Sequence, residues 1–190
     1  MKLLTLFTLI ITATSSFADV AEKKADPAKI KAIQKIYEAT NAAITAMEKS
    51  ADTAKASDIT VDIYKKNALN RSWEAVGKYN ITYKSYYKHN PVNAQDSVLK
   101  LTRTVESTGK NHEEFYFNEK KQLVFYYQKS DTPDLEIERR FYFDGDKAIR
   151  IIVPNETRDE YTDGDKEIAA NIIFRSKVLR QKFDLDYQEP

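Results

Sequence analysis

The chain contains no cysteine and only four glycines in 190 residues. Without cysteine it cannot be a disulfide scaffold, use a thiol nucleophile or hold a metal through sulfur, so apolar burial must carry the fold. So few glycines leave no Gly-rich loop to cradle phosphates. There are two histidines, His89 and His112. No Gly-x-Ser-x-Gly elbow occurs, and nothing marks a serine–histidine–aspartate set. Past the first twenty residues, no apolar run approaches the roughly 20 residues that a membrane span requires.

What the chain does have begins with its first eighteen residues. Met1-Lys2 is a positive start, Leu3 to Ala13 is an apolar core, and Ser16-Phe17-Ala18 places small residues where a signal peptidase cuts. The expectation is a signal peptide over 1–18, cleaved after Ala18, and a periplasmic or secreted mature chain without a membrane span. Export without disulfides fits a bacterial periplasm better than a eukaryotic secretory route. The 30 basic residues, less Lys2, leave 29 against 29 acidic ones, a net charge of zero. That balance argues against nucleic acid as a partner.

Residues 19–25 (DVAEKKA) are small and charged and read as a disordered mature terminus. Asp26 and Pro27 then open a helix. Ile30, Ile33, Tyr37, Thr40, Ile44 and Met47 make one apolar stripe along it, reaching Lys49 to Lys55. Residues 56–72 suit either a short strand or a helix followed by a loop. From Trp73 to Val153 the apolar period becomes two, the signature of strands. Two hairpins echo each other there: Phe115-Tyr116-Phe117-Asn118 before Leu123–Tyr127, and Phe141-Tyr142-Phe143-Asp144 before Ala148–Val153. Thr162 and Asp165 then form a helix-capping pattern ahead of Ile168, Ile172, Leu179 and Phe183.

These elements predict one α+β domain over residues 26–186 with a short tail at 187–190. Its long N-terminal helix and its C-terminal helix would pack on one face of an antiparallel meander sheet. By alternation, Phe115, Phe117, Leu123, Phe125, Phe141 and Phe143 would meet the helices. Tyr116, Tyr126 and Tyr142 would face solvent with Val124, joined by Lys84 and Tyr86. This tyrosine-lined face is the candidate binding surface, since tyrosine is enriched where proteins meet other macromolecules.

Little else invites chemistry. His112 and Glu114 can converge on one side of a strand, but a metal needs further ligands. Asp144-Gly145-Asp146 and Asp163-Gly164-Asp165 do not continue into a calcium loop. Neither a cofactor nor a metal is expected.

Leu101, Val105, Gly109-Lys110, Glu113–Asn118, Lys121, Leu123, Phe125, Phe141–Asp144 and Lys147 resemble a group of uncharacterised exported bacterial proteins built on such FYF hairpins. The resemblance implies a long helix, a meander, a C-terminal helix and an envelope location, with no active residues to carry over. The expected function is a non-catalytic, macromolecule-binding module of the bacterial envelope, with an envelope protein or glycan as partner. The alternatives are an inhibitor or immunity protein against a cell-wall hydrolase, using loops 88–97 and 129–135, and then a carboxylate hydrolase or a small-ligand binder.

Overall fold

The computed structural model describes residues 24–50, 58–74, 77–89, 96–132 and 135–186, so residues 1–23, on which the expected signal peptide falls, and the tail at 187–190 lie outside it. Helix α1 (Pro27–Lys49) opens as its sequence directs: Asp26 accepts from the Ala28 amide at 2.9 Å, with Pro27 next. Its stripe buries Ile30, Ile33, Thr40 and Ile44. Ala25, which the composition assigned to a disordered terminus, is instead buried, and its amide donates to Asp159 at 3.2 Å.

The ambiguous segment resolves as strand β1 (Ile59–Lys66). A small ribbon follows, β2 (Ser72–Trp73) with β3 (Gly77–Lys78). Next come β4 (Asn80–Lys88), β5 (Ser97–Glu106), β6 (Lys110–Phe117), β7 (Leu123–Thr132), β8 (Leu135–Asp144), β9 (Lys147–Val153) and β10 (Glu156–Arg158). Apart from the ribbon, they form one antiparallel sheet in the order β1-β4-β5-β6-β7-β8-β9-β10. Helix α2 (Asp163–Asp186) closes the domain with a true capping box: the Asp165 amide donates to Thr162 Oγ1 and the Thr162 amide to Asp165 Oδ2, both at 3.1 Å. No described helix is long and apolar enough to cross a membrane.

The α+β architecture is as read, but the helices lie on opposite faces of the sheet. Tyr116, Phe125 and Tyr142 stand opposite one another across β6, β7 and β8, and pack with Ile30 and Ile33 of α1. One residue along, Phe115, Tyr126, Phe141 and Ile151 form the neighbouring row and pack with Ala169, Ile172 and Phe183 of α2. Successive strand residues point to opposite sides, so the molecule has three layers: α1, sheet, α2. The physical reason is that both faces of the central strands are aromatic. A tyrosine ring carries roughly 150–250 Å² of mostly apolar surface, which favours a cover as strongly as phenylalanine does.

Register supplies a second correction. Tyr116 opposes Phe125 while Phe117 opposes Leu123, which leaves Val124 as an extra residue in β7. That bulge reverses the alternation beyond it. Phe125 therefore goes to the α1 side and Tyr126 to the α2 side, the reverse of the expectation.

Candidate functional site

The tyrosines singled out in the sequence do not form a surface. Tyr116, Tyr126, Tyr142 and Tyr86 are 1, 0, 2 and 5% exposed. Tyr116, Tyr142, Tyr86 and Val124 do share a face, but α1 covers it, and Tyr126 lies beneath α2. Lys84 is half-buried on the α1 side, in a row with Thr102 and Glu114.

Two polar networks flank this core. On the α1 side, Glu114 Oε1 accepts from Lys100 Nζ at 2.8 Å and lies 3.0 Å from His112 Nε2, while Oε2 accepts from the Tyr116 hydroxyl at 2.5 Å. His112 and Glu114 thus converge as their spacing suggested. Asn41 of α1 joins Lys100 and Tyr116 at 3.0 and 2.9 Å. Burial works against the Glu114 charge, but His112, Lys100 and Tyr116 outweigh it and hold its pKa at about 2. Thr104 Oγ1 sits 2.8 Å from His112 Nδ1, which completes a hydroxyl–imidazole–carboxylate chain. Strands β5 and β6 are both interior to the sheet, so their amides are committed to the ladder and none is left to stabilise an oxyanion beside Thr104. No group of three histidine, aspartate or glutamate side chains among the described residues is placed to hold a metal.

The second network, on the α2 side, is the candidate site. One row beyond Phe115, in line across six strands, run Tyr64, Tyr83, Arg103, Glu113, Gln128 and Arg139. Glu113 is fully buried. Its Oε2 accepts from Arg103 at 2.8 Å; its Oε1 accepts from the Tyr126 hydroxyl at 2.7 Å and from Arg175 of α2 at 2.5 Å. Arg139 Nε donates to Gln128 Oε1 at 2.7 Å, and no described carboxylate pairs with this guanidinium. Lys182 of α2 rests 4.1 Å over the Tyr64 ring and 5.6 Å from that of Tyr83.

Of the four cations along this row, Arg103 and Arg175 meet the one carboxylate, Arg139 bonds Gln128 and Lys182 lies over the tyrosines. Asp62, two residues before Tyr64, hydrogen-bonds Tyr87 instead. Burial opposes the Arg103 charge, but Glu113 and Tyr83 overcome that and raise its pKa. The Tyr126 hydroxyl is pushed up by burial and by Glu113 beside it. Arg175 Nε is buried without a hydrogen-bond partner. Guanidiniums held this way present planar, always-charged donors to carboxylate, sulfate or phosphate groups.

Sequence reasoning missed this row because its members come from seven elements. A weak signal was present, Arg103 and Glu113 at facing positions of adjacent strands, with Arg139 two strands further on. Among the other features weighed, Asp144 pairs with Lys29 and Asp146 with Lys177, so the first Asp-Gly-Asp is a hairpin turn with two surface ion pairs. Of the two proposed inhibitory loops, residues 90–95 and 133–134 lie outside the described ones. A groove of about 820 Å³ lies beside α1, lined by Ile36, Ala39, Ala43 and Leu99. Its rim mixes Lys88 and Lys120 with Glu119 and Asp144, and so selects no ligand charge.

No family model matches this chain, and neither a curated protein nor a solved structure is similar to it.

Proposed function

We propose that this chain is a non-catalytic binding module of the bacterial envelope that holds an extended anionic macromolecule, an acidic glycan, across the α2 side of its sheet. The observation carrying this reading is the set of four cations along this row, Arg103 and Arg175 on the buried Glu113, Arg139 on Gln128, and Lys182 over Tyr64 and Tyr83. Acidic groups along a chain can meet Arg103 and Arg139, three strands apart in the row, and Arg175 and Lys182 of α2 above it, and the tyrosine rings offer flat surfaces to sugar rings. The leader-like N-terminus supports a ligand met outside the cytoplasm.

The test is calorimetric titration of the mature chain with polygalacturonate and, separately, with a neutral glucan. Binding of the polyuronate alone is expected, weakening as salt rises. The double substitution Arg139→Gln/Lys182→Gln leaves the Glu113 bonds intact and should weaken binding at least about tenfold, near 1.4 kcal/mol. Equal affinity for the two polymers, or no loss in the double variant, would reject the reading.

A further inference from the structure

Where the C-terminal half of α2 passes over the β1 end of the sheet, it leaves a cavity of about 130 Å³ beside the cation row. Its floor is the neighbouring row, in which Asp62, Ser85 and Leu101 face one another on β1, β4 and β5. Tyr64 and Tyr83 stand along one side, and Leu179, Lys182 and Phe183 of α2 close it from above. The lining is mostly apolar. Ser85 adds a hydroxyl, and Asp62 adds an acceptor in want of a donor. The Asp62 carboxylate bonds Tyr87, but its Oδ2 is buried with no hydrogen-bond partner among the described residues.

Size limits what can enter. Cavities of about 150 Å³ hold a single benzene molecule. This one therefore admits a short substituent and excludes a whole sugar ring.

We propose that the cavity is a subsite for the N-acetyl group of an amino sugar, so that the acidic glycan held along the row carries N-acetylated residues. The acidic part of this ligand rests on the proposed function. The acetyl methyl packs on Leu101, Leu179 and Phe183, the carbonyl accepts from the Ser85 hydroxyl, and the amide N–H supplies the donor that Asp62 lacks. A plain hydroxyl would leave the apolar wall uncovered, and an acetyl ester has no N–H to give. Tyr64, 54% exposed, offers its ring to the sugar that bears the group.

The experiment is an NMR titration of the mature chain with the methyl glycosides of N-acetylglucosamine and of glucose. Both are uncharged, so the result does not depend on the cation row. The methyl resonances of Leu101 and Leu179 should shift with the first glycoside and stay in place with the second. Ser85→Leu fills the cavity and should weaken that binding at least about tenfold, with circular dichroism confirming the fold. In calorimetry, a hyaluronan oligosaccharide, glucuronate alternating with N-acetylglucosamine, should bind at least about tenfold more tightly than a polygalacturonate oligosaccharide of equal charge. Ser85→Leu should erase that advantage and leave the polygalacturonate affinity unchanged. Leucine methyls that do not move, equal shifts with both glycosides, or a folded Ser85→Leu variant that binds like the parent each overturn the subsite. Selective shifts without binding of either polyanion would sustain the N-acetyl cavity and reject the acidic ligand.

Discussion

Single carboxylates in this protein are stabilised by their surroundings to very different ends. Glu114 is held near pKa 2, below its ordinary 4.5, against the opposing effect of burial. A depressed carboxylate contributes its stability above the unfolded-state pKa and loses it as pH falls through the folded one. The unfolding midpoint should therefore drop between about pH 4.5 and pH 2, by an amount on the order of 3 kcal/mol in this group. Thermal melts across that range check it, and Glu114→Gln should flatten the dependence. Glu113 is a different case, because it binds two arginines and a tyrosine where no water reaches. Glu113→Ala would leave two guanidiniums uncompensated under α2 and should cost roughly 3–5 kcal/mol in denaturant unfolding. Replacing exposed Glu119 should change the midpoint by less than about 0.5 kcal/mol.

At the scale of elements, the starts and turns follow local rules. The Thr162–Asp165 capping box opens α2 from both sides, and Arg158 adds a bond to Asp165 at 3.1 Å. Asp165→Ala should destabilise the domain by about 1–2 kcal/mol, read as a lower denaturant midpoint with unchanged slope. The turn at Ser107-Thr108-Gly109 depends on its glycine for space rather than for backbone angle. A Cβ at Gly109 would run into the Asp131 carbonyl oxygen and the Thr132 Cα, both backbone atoms. Gly109→Ala must therefore shift the β5–β6 turn away from β7, and should lower the melting temperature by several degrees, more than Gly164→Ala, whose added methyl meets only ordinary contact.

For the whole molecule, the decisive feature is that the sheet has no wet face over its centre. Tyr116 and Tyr142 seal the α1 side and Tyr126 the α2 side. Substituting all three with serine should prevent folding rather than spare it, since each change opens an aromatic-sized cavity costing about 3–5 kcal/mol against a total of 5–15. Loss of the cooperative thermal transition is the expected readout. A folded triple variant would contradict the three-layer packing.

Much of this architecture was legible in the chain itself. Asp26-Pro27, the stripe from Ile30 to Met47, the FYF hairpins with Asn118 and Gly145 at their turns, and the Thr162 cap are local signals. They act over a few residues, where backbone sterics and side-chain period decide the outcome. Period two also brought His112 to Glu114 and kept Glu113 from them. What the sequence could not settle was which face each helix would cover, because the alternation of phenylalanine and tyrosine differs by one hydroxyl and both rings seek burial. The bulge at Val124 was equally hidden, since one extra residue in one strand is recognised only against its partner. The cation row is the clearest such case: Tyr64, Arg103, Arg139, Arg175 and Lys182 are far apart in the chain. Only pairing six strands and laying α2 across them brings these side chains into one row, with Arg103 and Arg175 on Glu113.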